Sequence, residues 1–288
     1  MIISTKDKLL SAEARPPSLA DTNSGYQANR DARWDLIQGL LLWKMWIRLS
    51  INEVRRRYKR TMLGPAWVTI SLLIFALAMS VVWAGLWKQK VSEFLPFLLS
   101  GLLPWTMISG MIGESCTVFL AGEGLVKNQR FPFSVLLYGG LTRHVIIFMH
   151  NLVGYVLVAV LCGISFNSSM LLLIPGMILV IVNCAWACLL TAVLCLRFRD
   201  FKEIVTSLLQ ISMFITPVFW TVGQLQGDRA IIAYANPLYH LIEIVREPML
   251  GKVPDGLSYM VCLGGAFGGW LIAYWLFARK RNRLAYWY

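Results

Sequence analysis

Apolar residues along this chain gather into long, nearly unbroken runs. A bilayer core about 30 Å thick takes roughly 20 apolar residues in a helix. Runs of that order recur at 65–87, 94–119, 133–164, 170–196, 204–222 and 257–278. The first and fourth carry no charge, and Pro65 suits a first helical turn. Glu114 alone interrupts the second, the third holds Arg143, His144 and His150, and the last is rich in glycine at Gly264, Gly265, Gly268 and Gly269. The pattern predicts an all-α integral membrane protein with six transmembrane helices. Between spans five and six, Ile231 to Ile244 is apolar but too short to cross, and it is broken at Asn236-Pro237. A residue before proline leaves the helical region, so a short re-entrant pair of half-helices is expected there. Glu243, Arg246 and Glu247 then pair locally at the external headgroup level.

Ahead of the spans the periodicity changes. Trp34, Ile37, Leu41, Met45, Leu49 and Val54 recur at helical spacing, with Arg55, Arg56, Arg57, Lys59 and Arg60 crowded at the end. That predicts an amphipathic helix in the membrane interface over 34–63, its cations facing headgroups. A solvated helix on a partner protein is the alternative. Residues 1–33 are polar, lack the apolar core of a secretory signal and are expected to be a flexible cytosolic tail. The expected division is therefore 1–33, 34–63 and a transmembrane domain over 64–288.

Composition sharpens this picture. Hydrophobic residues make up 57% and charged residues 15%, with a mean hydropathy of +0.61; soluble domains run near 45–50% and about 25%. A soluble enzyme and a disordered chain are excluded as the main body. Net charge is +12, which in so apolar a chain indicates a basic face near anionic lipid and not a nucleic-acid partner. On alternating loops 21 Lys and Arg fall on one side and 5 on the other, with Arg143 inside a span. The positive-inside rule then places both termini in the cytoplasm. Six cysteines lie in apolar stretches without C-x-x-C spacing, which argues for small buried hydrophobes and against a metal site or disulfides.

The chain lacks the glycine-rich loops that cradle phosphates and the H-E-x-x-H of a zinc enzyme. No cofactor is expected on it, so an ATP-driven process would need ATP and Mg on another polypeptide. The loop after span two, with Glu123, Gly124, Leu125, Lys127 and Arg130, offers both charge signs and an apolar Leu125-Val126 step that fit a groove on a soluble partner. A solvated hairpin loop is the alternative. Glu114 lies toward the cytosolic end of span two, where Arg143 and His144 of span three sit at matching depth; helix packing is favoured over a proton relay through His144 and His150. Six aromatics lie deeper than the interfacial belt: Phe75, Trp83, Phe97, Trp105, Phe214 and Phe219. Composition favours lipid-facing or packing roles for them. Stacking against sugar rings in a glycan conduit is the alternative.

Several ordered motifs together point to a family. Arg57-Tyr58-Lys59-Arg60-Thr61-Met62-Leu63-Gly64-Pro65-Ala66-Trp67 resembles the approach to the first span of polysaccharide-exporting ABC transporter permeases. So do Glu114 to Phe119, Glu123 to Lys127, Phe131 to Ser134, His150-Asn151, Leu196 to Asp200, Ile215 to Trp220 and Asn236 to Arg246. Taken over about 35–288, the chain is most similar to the O-antigen (Wzm-type) branch, although Gly113 stands before Glu114 where that branch has Asn. The resemblance implies a homodimer in the bacterial inner membrane, with two copies of a cytosolic ATP-binding subunit. Its cargo would be an undecaprenyl-pyrophosphate-linked polysaccharide drawn from the cytoplasm.

In that picture the 123–130 segment is the coupling helix. Arg55, Arg56, Arg57, Lys59 and Arg60 attract the carrier pyrophosphate, and Asn236, Pro237, Tyr239, His240, Glu243 and Arg246 belong to an external gate. Related exporters of capsule, teichoic acid, drugs or small lipids share the fold. A membrane-embedded transferase using Glu114, His144 and His150 is the reading from a different class.

Overall fold

The computed structural model describes residues 25–59, 61–122, 124, 132–224, 230–284, 286 and 287. Among these residues all regular structure is helical: α1 Gly25–Leu41, α2 Trp43–Tyr58, α3 Ala66–Leu86, α4 Val91–Ala121, α5 Ser134–Leu161, α6 Leu173–Arg197, α7 Phe201–Ile215, α8 Ala230–Tyr234, α9 Pro237–Met249 and α10 Gly256–Leu284. Five segments are long and apolar enough to cross a membrane: 66–86, 91–121, 134–161, 168–197 and 256–281. They are the expected first, second, third, fourth and sixth spans, and they make the chain an all-α integral membrane protein.

The fifth expected span is present in shortened form. Helix α7 ends at Ile215, and Thr216 takes an extended conformation (φ −80°, ψ 136°). Pro217 explains the stop, because its ring crowds the preceding residue out of the helical region and it has no N–H to donate. Fifteen residues rise about 22 Å at 1.5 Å each, short of a 30 Å core. Residues 216–221 continue without helix, so the apolar run to Val222 is not one continuous span.

Helix α4 runs through the middle of the bundle, packed by α3, α5, α6, α7 and α9. Leu98, Leu99, Leu102, Leu103, Ile108 and Phe119 along it are fully buried. Helix α10 closes the far side against α6, where Asn183 donates to the Cys262 carbonyl at 3.0 Å and the Trp270 indole donates to the Val182 carbonyl at 3.2 Å. The six cysteines are free thiols, five of them buried.

The expected pair of short helices is present as α8 and α9. Asn236 breaks them apart in an extended conformation and caps α9 by accepting from the Leu238 N–H, with Pro237 in the first turn. The region expected as one interface helix from Trp34 is instead two, α1 and α2, separated at Leu42 (φ −78°, ψ 33°). Helix α1 starts at Gly25, inside the stretch expected as tail. Trp34, Ile37 and Leu41 of the apolar stripe face outward, whereas Ala32, Asp35 and Gly39 face the bundle.

Candidate functional site

Two clusters stand out, one at each end of the bundle. At the basic end, Glu114 of α4 lies between α2 and α5. Arg143 of α5 donates to it through Nε at 3.1 Å, the His144 Nε2 contacts the same oxygen, and Arg57 of α2 stands 3.9 Å from the other. Arg143 also pairs with Glu53 of α2. The pairing expected of Glu114 with Arg143 and His144 is thus present, and the structure adds the two α2 residues. Two adjacent residues of α5 reach one carboxylate because Gly110, a turn before Glu114, leaves space for the His144 ring. Beside this cluster opens a cavity of about 280 Å³ lined by Glu53, Val54, Arg56, Arg57, Arg143 and Ile147. Its lining carries both charge signs around an apolar floor of Val54 and Ile147, with Arg143 already paired to Glu53 and Glu114.

Of the cations expected to meet a lipid carrier, Arg55, Arg56, Arg57 and Lys59 are exposed on or just after α2, and Arg60 lies outside the described residues. His150 is exposed and turns back to the Ile146 carbonyl (2.9 Å), so it joins neither Glu114 nor His144. A transferase built on those three residues together has no geometric support. Glu123, Leu125, Lys127 and Arg130, the expected coupling residues, lie outside the described residues, and Gly124 is exposed.

At the opposite end Arg246 of α9 is buried, at 2% exposure. Its Nη1 donates to Glu243 at 2.9 Å, and its Nη2 to the carbonyls of Pro217 (2.6 Å) and Val218 (3.4 Å). The guanidinium lies 4.6 Å from the centre of the Phe97 ring. Gly101 of α4 makes room, since a Cβ there would stand 2.1 Å from Nη2. One side chain therefore ties α9 to α4 and to the break after α7. Asn236 adds a second tie by donating to the Thr216 hydroxyl at 2.8 Å. His240 uses both ring nitrogens, on Ser258 (2.9 Å) and the Tyr234 carbonyl (2.8 Å), while Tyr239 packs edge-on against Tyr234. Burial pushes the Glu243 carboxyl above its ordinary range; Arg246 opposes the rise and Glu247 adds to it. The sequence pattern reads Arg246 as a charge paired locally; it pairs with Glu243 as expected, and its burial and its bonds to Pro217 and Val218 go beyond that pattern.

The six deeper aromatics do not form one group. Trp83 stacks on Phe219 (6.4 Å, 16°), and a run of ring contacts continues through Trp87 and Phe94 to Phe97 and so to Arg246. Trp105 is in the core at 3% exposure, and Phe75 and Phe214 are on the outer surface. Trp87 and Phe94 are members that the sequence pattern missed. Trp87 reads as belt and Phe94 as the start of a span, and only the α3–α4 hairpin brings them together.

Comparison with known proteins adds the family. The model of the ABC-2 type transporter family matches residues 45–250. An O-antigen export system permease protein RfbA of Myxococcus xanthus is 26% identical over 205 residues, covering 68% of this chain and 76% of that protein. A protein of the same name from Klebsiella pneumoniae is 22% identical over 202 residues, covering 70% and 78%. The polysialic acid transport protein KpsM of Escherichia coli is 22% identical over 216 residues, covering 73% and 83%.

Proposed function

This chain belongs to the ABC-2 type transporter family, and from that premise we propose that it is the transmembrane subunit of an ATP-driven polysaccharide exporter. The observation that carries the proposal is the agreement among relatives: those named for O-antigen export and those named for polysialic acid transport each cover more than two thirds of this chain. The cargo class is a lipid-linked polysaccharide of the O-antigen kind, with polymers of the polysialic acid kind as the neighbouring alternative that KpsM favours. The subunit is a multi-pass protein, placed by this proposal in the bacterial inner membrane with cytoplasmic termini on the basic side.

The active unit is taken to be a pair of these subunits, and one chain leaves broad apolar faces uncovered, among them Val81, Val82 and Leu86 on α3 and Leu208, Ile211 and Phe214 on α7. In this account they meet lipid or the second copy. ATP and Mg belong to two partner subunits docked at 123–130. ATP binding closes those subunits, their motion displaces the docked segment, and the spans shift to admit the glycan. Arg55, Arg56, Arg57, Lys59 and Arg60 attract the pyrophosphate of an undecaprenyl carrier electrostatically. The Glu114 cluster holds α2, which bears Arg55, Arg56 and Arg57, against α4 and α5.

Depletion of this subunit in cells that keep the ATPase tests the proposal. Lipid-linked glycan should accumulate in the cytoplasmic leaflet, identified by mass analysis of extracted lipid. No accumulation, with surface polysaccharide unchanged, would reject the assigned cargo.

A further inference from the structure

Helix α5 begins directly after the 123–131 stretch, and the residue before it supplies no capping side chain: Phe133 makes no such hydrogen bond. The cap comes from far away in the sequence. Asp35 of α1, with no exposed surface, accepts from the N–H groups of Phe133 (3.2 Å) and Ser134 (3.0 Å). These are helix-start donors with no intrahelical partner. Arg281, from the last turns of α10, donates through Nε to the same carboxylate at 3.2 Å. The Ser134 hydroxyl returns a bond to the Asp35 carbonyl at 2.7 Å, and the Tyr138 hydroxyl reaches the Leu36 carbonyl at 3.2 Å. Gly39 permits the approach, because a Cβ there would stand 2.0 Å from the Ser134 Oγ. On the other flank Phe119, near the end of α4, meets Phe133 edge to face at 6.0 Å.

An isolated buried carboxylate is costly, and it is tolerated here because three donors converge on it. A local Ser or Asp before α5 could satisfy the same helix-start donors. Placing the cap on α1 instead makes the start of α5 depend on where α1 and α10 sit. We propose that Asp35 is a positioning residue for energy coupling. It locks the start of α5 to the end of α10, so that a push delivered at 123–130 moves both helices as one body. This rests on the reading that 123–130 docks the ATPase.

The test uses the permease–ATPase complex in proteoliposomes and reads polysaccharide exported per ATP hydrolysed. Asp35→Asn removes the charge that holds Arg281, and Arg281→Gln leaves the helix cap in place while removing its tie to the end of α10, where the Tyr274 hydroxyl still donates to the Asn29 carbonyl of α1. Each should keep the assembled complex and its hydrolysis while the export ratio falls about fivefold or more, the range of a typical coupling energy. Arg281→Lys should keep most of the ratio. A wild-type ratio in both Asp35→Asn and Arg281→Gln, or loss of the assembled complex in both, would overturn the proposal. In the same assay, exchanging Glu123 and Lys127 should let hydrolysis continue without export. A wild-type ratio in that exchange rejects the docking segment and the Asp35 proposal with it. An uncoupled exchange beside wild-type Asp35→Asn and Arg281→Gln rejects Asp35 alone.

Discussion

Arg246→Met should abolish export and sharply lower the thermal stability of the purified subunit. The substitution conserves apolar bulk beside Phe97 but leaves the half-buried Glu243 carboxylate unpaired and the Pro217 carbonyl without its donor. Breaking a buried pair by removing one partner costs about 3–5 kcal/mol, a large fraction of the stability of a typical domain. The loss also frees α9 from α4 and from the break after α7, so the damage falls on the end of the bundle opposite the Glu114 cluster. Arg246→Lys should fare little better, because an ammonium cannot span Glu243 and Pro217 together or stack on Phe97 as a planar guanidinium does. Thermal unfolding in detergent, followed by size exclusion, reads the effect. A melting temperature within 2 °C of wild type would contradict it, since about 1 kcal/mol already shifts a domain of 150–250 residues by roughly 2–4 °C.

The second large effect is expected at Glu114. Glu114→Ala strands His144 and leaves Arg143 with Glu53 alone, while Arg57 loses its only acidic neighbour on α4. Leaving such groups without an acceptor costs on the order of 1–3 kcal/mol each. Helix α2 should then loosen from α4 and α5. Glu114→Gln keeps an acceptor oxygen and should retain more of the stability, although not the charge. Export should fall in the order wild type, Gln, Ala, and protease accessibility of α2 should rise in the same order. Equal protection of α2 in all three proteins would show that the cluster does not hold it.

The spans were legible because lipid demands long apolar runs with internally bonded backbones, a condition that leaves a strong imprint on sequence. The end of α7 was masked by that same imprint: Val218, Phe219 and Trp220 continue the apolar run past Pro217, so hydropathy overrode the proline signal. The break at Asn236-Pro237 was visible because there polarity and proline coincide. The Glu114 pairing with Arg143 and His144 could be read from membrane depth alone, since intramembrane charges need partners.

Asp35 could not be read in this way. It sits in a polar stretch among Arg30, Asp31 and Arg33, and its partners lie 98, 99 and 246 residues away. Arg246 is legible as a charge paired with Glu243, but its burial is not. Its pairing with Glu243 is local, whereas its contacts with Phe97 and Pro217 depend on tertiary approach that periodicity does not encode. The start of α1 was hidden for a similar reason, because Ala32 and Gly39 present a small-residue face to the bundle with no apolar stripe to mark it.

The most direct measurement is ATP hydrolysis and glycan translocation by the purified subunit in proteoliposomes, with and without its ATP-binding partner. Alone it should hydrolyse no ATP and move no lipid-linked glycan; with the partner, both activities should appear together. Sustained translocation or chemical turnover by the lone subunit would contradict a permease that borrows all its energy from another chain.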